Sequence, residues 1–261
     1  MQSSNPYLKK IVKEESAGNY LSSNTVSMTN VMIKAFIFLA MLGVAALCAY
    51  ILATQGIDVN NVEASTINPQ LIVLLIISGA VAGITGFIGI FFPKAAAVFG
   101  TLYSLSMGFL LGFLVALVDL VYPGELIGFS ALAITLTIFA SVFLMFTIGK
   151  FRASNRFIKI VFVFGISLLL FTLVQFIYQA ISGRSLFNSA DGSGFIILII
   201  LGLYAAYGIF VLILDFEFTK RAIDAGADKK IGWFLAFSMI ISLVMIFVYV
   251  LKIIMYISSR K

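Results

Sequence analysis

Two carboxylates lie close together where one long apolar segment ends and a charged stretch leads into the next. Asp215 and Glu217 belong to residues 214–221, which have the sequence LDFEFTKR. Carboxylates attract cations, and an acidic side chain inside a membrane is costly enough to be a candidate functional group. On a helix, Glu217 and Arg221 are four residues apart and can form an ion pair, while Asp215 and Thr219 share a neighbouring face.

Two interpretations of this cluster are open. In the first, the helix ends in water and its charges are solvated, without chemical consequence. In the second, Asp215 points into a helix bundle, where it binds or gates a cation. The direction of the Asp215 carboxylate distinguishes the two.

The composition indicates a membrane protein with little soluble mass. Of 261 residues, 62% are hydrophobic and 11% are charged, whereas soluble domains have about half apolar and about a quarter charged residues. The net charge of +6 is carried by residues that flank apolar segments, so we expect contact with lipid headgroups rather than with nucleic acid.

The sequence gives catalysis no support. It contains no histidine, the usual general base and the commonest metal ligand. A phosphate-binding loop, a zinc-binding HExxH motif and a nucleophile elbow are also missing from the sequence. We therefore expect neither an enzyme nor a bound cofactor.

Apolar segments of about 20 residues each span a membrane as a helix. Seven are predicted, at residues 31–54, 70–92, 97–120, 128–148, 157–181, 194–218 and 232–257, the last two separated by a charged connection at 220–230. The predicted fold is an all-α, polytopic bundle of seven transmembrane helices. Residues 1–30 would be a polar cytoplasmic tail, 31–257 the membrane domain and 258–261 a short C-terminal tail.

Basic residues predict the orientation, because Lys and Arg are enriched in cytoplasmic loops. With the N-terminus in the cytoplasm, 13 of the 17 Lys and Arg lie on the cytoplasmic side and 4 on the other. The cytoplasmic set is Lys9, Lys10, Lys13, Lys34, Lys94, Lys150, Arg152, Arg156, Lys159, Lys220, Arg221, Lys229 and Lys230. The opposite set is Arg184, Lys252, Arg260 and Lys261, and a re-entrant seventh helix would change the side of the C-terminus. We expect a multi-pass protein of the cell (inner) membrane.

Small residues recur at a spacing of four in the second and third spans. Gly79 and Gly83 form one pair, and Gly108 and Gly112 the other. This spacing lets helix backbones approach closely in lipid. We interpret both pairs as packing surfaces within the bundle.

The stretch from Tyr207 onward resembles the Bax inhibitor-1 family of transmembrane proteins, in particular its bacterial branch. The resemblance rests on residues 214–218 (LDFEF), residues 225–230 (AGADKK), Trp233 and the closing apolar helix. Asn5-Pro6, residues 103–112 (YSLSMGFLLG) and residues 150–159 fit more loosely.

The resemblance implies six helices around a central seventh and a proton-sensitive cation leak, usually of calcium. In that family picture two aspartates on the last two helices share a proton near the cytoplasmic mouth. Asp215 matches the first aspartate. The second has no match, because the sequence contains no acidic residue after Asp228, and Ser242 is the nearest placement. Met107 stands where the family commonly has a glutamate.

Two functions follow as hypotheses. In the first, the protein is a cation leak channel gated by pH near Asp215, with Glu217, Ser242 and Arg221 as further gate or ion candidates and no firm metal ligand. In the second, it is a non-conducting partner of a membrane-bound protease in membrane-protein quality control. The polar N-terminal tail, which could enter another protein's pore, motivates the second hypothesis.

Overall fold

Seven long α-helices make up the described part of this computed structural model, which comprises residues 25–55, 69–148, 152–183 and 194–260. They are α1 (Met28–Gln55), α2 (Pro69–Phe91), α3 (Ala96–Val121), α4 (Ile127–Ile148), α5 (Asn155–Ser182), α6 (Gly194–Asp224) and α7 (Ile231–Ser258). Each is long and apolar enough to cross a membrane. Helices satisfy their own backbone hydrogen bonds, as lipid requires. The all-α, seven-span fold expected from the sequence is confirmed.

The sixth helix differs from its prediction. It continues to Asp224, so the first part of the charged connection expected at 220–230 is helical. The extension is stabilised by an ion pair between Glu217 and Arg221, one helical turn apart, which apolarity alone does not reveal. Gly226, with a φ of 65°, follows the end of the helix, where a left-handed residue commonly terminates the α conformation.

The last helix lies at the centre of the bundle. In its most apolar stretch 61% of the residues are buried within the protein, against 11–39% in the other six helices. It packs against α1, α2, α3, α4 and α6, whereas α5 packs mainly against α6. A central seventh helix is therefore observed, with α5 displaced to the outside of the ring around it.

The glycines of α3 allow it to approach α1 closely. A Cβ atom added at Gly112 would overlap the backbone carbonyl of Ala46, and one added at Gly108 would overlap that of Leu42. Gly83 on α2 is different, since an added Cβ would meet nothing within 4 Å. The packing interpretation is therefore correct for the α3 pair and wrong for Gly83.

The chain entering α1 is attached to the loop that precedes α7. Val26 N donates to Ala227 O at 2.8 Å, within an isolated antiparallel bridge between Thr25 and Asp228. The start of α1 and the α6–α7 loop therefore lie at the same end of the bundle. Most of the tail on which the protease hypothesis depends, residues 1–24, lies outside the described residues.

The α1–α3 contact makes a prediction about stability. Gly112→Ala should lower the free energy of unfolding by about 1–3 kcal/mol, because the added methyl forces the α1 backbone away. Gly83→Ala is the matched control, and it should be neutral or stabilise by up to about 1 kcal/mol, because alanine favours the helix more than glycine does. Thermal unfolding of the purified variants in detergent measures both, and equal shifts would contradict the close approach of the backbones.

Candidate functional site

Asp215 lies on the face of α6 that packs against the central helix. The residue is 7% exposed, and its Oδ2 accepts a hydrogen bond from Ser242 Oγ of α7 at 2.5 Å. Ser242 is itself 2% exposed. Ser238, one turn earlier on α7, faces the same carboxyl group, while its hydroxyl donates to Leu235 O at 3.0 Å. The carboxyl group thus points into the bundle, toward two hydroxyls of α7.

Aromatic side chains of α4 pack against α6 beside this contact. Phe216 is fully buried, and its ring centroid lies 5.5–6.2 Å from those of Phe139, Phe143 and Phe146 on α4. In such surroundings a carboxylate without a partner is strongly unfavourable. The hydrogen bond from the Ser242 hydroxyl offsets part of the cost of burying the Asp215 carboxyl group. This contact links α6 to α7, and the ring contacts of Phe216 link α6 to α4.

Glu217 lies on a different face of α6 and has a different environment. It is 1% exposed, and its Oε2 accepts from Ala153 N at 3.0 Å while its Oε1 accepts from Arg221 Nε at 2.7 Å. Arg221 Nη2 also donates to Ala153 O and to Asn155 Oδ1, both at 3.3 Å. The Glu217–Arg221 pair therefore binds both polar groups of the Ala153 backbone and holds the entry to α5 against α6.

Two further charges extend this cluster to the surface. Arg152 is 4.0 Å from Glu217 through Nη1 and Oε1, and its Nη2 forms an ion pair with Asp224. The side chains of Arg152 and Asp224 are 46% and 54% exposed. Exposed pairs of this kind contribute little to stability, so we assign the anchoring role to the buried Glu217.

Lys34 is a buried residue whose charge contributes to the predicted orientation but which was not among the predicted site residues. It lies in α1, is 7% exposed, and donates from Nζ to Lys229 O at 2.6 Å. Its Nζ also lies 5.1 Å from the centroid of the Trp233 ring, a cation–π contact. Lys34 thus connects α1 to the loop and to the start of α7. The sequence did contain a signal for this role, because Lys34 is a single charged residue within the first apolar span.

The four candidate residues therefore form two groups. Asp215 and Ser242 meet between α6 and α7, whereas Glu217 and Arg221 meet where the chain enters α5. The solvated-end interpretation is wrong for Asp215 and Glu217, because both are buried. The second carboxylate of the family picture is missing from the interface, since α7 contains no Asp or Glu. Among the described residues no group of three or more His, Cys, Asp or Glu could hold a metal ion.

The Glu217 cluster makes a prediction about stability. Glu217→Ala leaves the buried Ala153 N–H without its acceptor and should lower the free energy of unfolding by about 1–3 kcal/mol. Asp224→Asn removes an exposed charge from the same cluster and should change the free energy by no more than about 1 kcal/mol. Thermal unfolding in detergent separates the variants, and an equal loss in both would mean that Glu217 has no special anchoring role.

Comparison with known proteins shows to which family the chain belongs. The model of the family described as Bax inhibitor 1 like matches residues 5–259, nearly the whole chain. A search of curated proteins and a search of solved structures gave no match. The family match across the whole bundle, together with seven helices that can each cross a membrane, identifies this chain as a multi-pass membrane protein of the Bax inhibitor 1 like family.

Proposed function

We propose that this protein is a cation leak pathway, conducting calcium, with a gate where Asp215 of α6 meets Ser242 of α7. The observation that carries the proposal is their 2.5 Å hydrogen bond, made by two buried side chains in an otherwise apolar interior. An acidic group inside a membrane bundle is costly, which makes it a candidate functional group. The role is transport, without a catalysed reaction or a bound cofactor.

The chemistry of the contact suits a passing cation. Calcium binds oxygen ligands, and its stable sites supply six to eight of them. Here the Asp215 carboxylate and the hydroxyls of Ser242 and Ser238 offer fewer. Conduction requires binding that is favourable enough for entry and weak enough for exit, and a single carboxylate with hydroxyl neighbours meets both conditions.

The position of the contact suits a gate. Asp215 lies nine residues before the end of α6, about 14 Å along the helix axis at 1.5 Å per residue. A cation entering from the α6–α7 loop would therefore meet the contact before the middle of the bundle. Because the Ser242–Asp215 hydrogen bond joins α6 to α7, we take the observed arrangement as closed and assign opening to the separation of these two helices.

The same contact predicts that the proposed leak depends on pH. Ser242 and Ser238, the polar side chains that face Asp215 from α7, are hydroxyls and do not titrate near neutral pH. Protonation of Asp215 removes the negative charge that attracts the cation. The leak should therefore decrease on acidification, through one titrating group rather than through the coupled pair that two carboxyls would form.

We also propose that the protein resides in the inner membrane with a cytoplasmic N-terminus, as 13 basic residues against 4 support. The α6–α7 loop and the gate would then lie toward the cytoplasm. In a Cys48→Ser background, a membrane-impermeant maleimide should label Glu125→Cys in intact cells and Lys229→Cys only after permeabilisation. Labelling of Lys229→Cys in intact cells would show that the orientation is the opposite of the one proposed.

Two substitutions at the gate should change the leak in opposite directions. Asp215→Asn removes the charge together with the titratable group, so it should decrease calcium flux and abolish its pH dependence. Ser242→Ala keeps the charge and removes a hydrogen bond of about 1.5–3 kcal/mol in the closed state, so it should increase flux by about tenfold or more. Liposomes that contain a calcium-sensitive dye measure both.

Asp224→Asn is the matched control, because Asp224 is an exposed acid on the same helix, and it should leave the flux unchanged. Flux through the unsubstituted protein no greater than through empty vesicles at every pH would overturn the proposal. So would equal effects of Asp215→Asn and Asp224→Asn.

A further inference from the structure

An apolar groove lies between α1 and α4 and reaches the central helix. Its walls are α1 and α4, which make no extensive contact with each other, and its floor is formed by α3 and α7. The cavity volume is about 350 Å³, within the range of pockets that hold small ligands. It lies on the side of α7 that carries Leu243 and Val244, whereas the neighbouring Ser242 side chain bonds to α6.

The lining leaves no free polar group for an ion or for water. Its two polar side chains are Tyr50 and Thr135. The Tyr50 hydroxyl donates to Asp119 Oδ2 at 3.1 Å, and the Thr135 hydroxyl donates to Ala131 O at 2.8 Å. The rest of the lining is aliphatic, aromatic or glycine. Apolar cavities of this kind exclude water and accept apolar ligands.

The groove is open toward the bilayer. Leu47 on the α1 wall and Phe129 on the α4 wall are 64% and 69% exposed. Both belong to membrane-spanning helices, in the half of the bundle where α1 ends and α4 begins. The medium that meets this opening is therefore lipid hydrocarbon.

We propose that the groove is a binding site for one acyl chain of a bilayer lipid. The chain would enter between α1 and α4 and lie against Ile240, Leu243 and Phe247 of α7. A long, flexible and fully apolar ligand matches a lateral opening with an apolar floor, and it is already present at high concentration in the bilayer. The occupant would touch the central helix on the face turned away from the contact with Asp215. This binding site does not depend on whether the protein conducts.

Photo-crosslinking tests the site directly. The full chain is reconstituted in phosphatidylcholine nanodiscs that contain a phosphatidylcholine with a diazirine in the middle of its acyl chain, and adducts are mapped by mass spectrometry. Ile240 and Leu243 are only 1% and 4% exposed. Both line the groove, so an acyl chain can contact them only from within it. Adducts are expected on residues 240–247 of α7 as well as on the exposed α5 residue Phe176 (72% exposed), which serves as the reference for ordinary lipid contact.

Gly43 offers a position from which a larger side chain would fill the groove. It lines the groove, and a Cβ added there meets nothing within 4 Å. Gly43→Leu should reduce the α7 adducts relative to the Phe176 adducts at least about fivefold, because the leucine and the acyl chain compete for one volume. Gly202→Leu is the matched control, since Gly202 on α6 also has open space around its Cβ and does not line the groove, and it should leave the ratio unchanged.

Leu132→Trp provides a second filling variant on the opposite wall, in case Gly43→Leu is not obtained folded. Loss of α7 adducts in a filling variant, with Phe176 still labelled, supports the site. Labelling of Phe176 without any α7 adducts in the unsubstituted protein would overturn the proposal. A ratio that neither filling variant changes would overturn it too, because the α7 adducts would then arise by another route.

Discussion

A carboxylate within a membrane-spanning bundle must find its partners inside the protein, because the surrounding hydrocarbon offers none. α6 meets this constraint twice within three residues, in two ways. Asp215 turns to the hydroxyl of Ser242 on α7, whereas Glu217 turns to Arg221 on its own helix and to the amide of Ala153. The first solution joins α6 to the centre of the bundle, and the second fixes the outer helix α5 to it.

The two solutions differ in what they permit. Glu217 is held by a cation and by a backbone amide, so its charge is compensated and its position is rigid. Asp215 has a neutral partner, and its charge is therefore compensated less completely. A weakly compensated carboxylate between two helices is suited to meet a mobile cation, and this asymmetry is why the proposed gate rests on Asp215 rather than on its neighbour.

The seven spans were predictable from the sequence because lipid imposes one strong requirement, a long apolar segment with its backbone bonded internally. The Glu217–Arg221 pair could also be predicted from the sequence, because the two residues are one helical turn apart. The pairing of Asp215 with Ser242 could be predicted through the family resemblance. The hydrogen bond from Ala153 to Glu217 could not be predicted, because it depends on how the turn between α4 and α5 packs against α6. Gly83 could not be distinguished from Gly112 either, since both have the same spacing and only the position of α1 separates them.

The bond between Lys34 and Lys229 spans 195 positions of the chain, and this separation has a consequence for biogenesis. Chains are synthesised from the N-terminus, so α1 enters the membrane long before residue 229 exists. During that interval the Lys34 ammonium must remain solvated near the membrane surface, and it can become buried once the loop before α7 has been made. The contact between Lys34 and Lys229 can therefore form only after the loop before α7 has been synthesised. The closing of the bundle around α7 is in this way coupled to the completion of the chain.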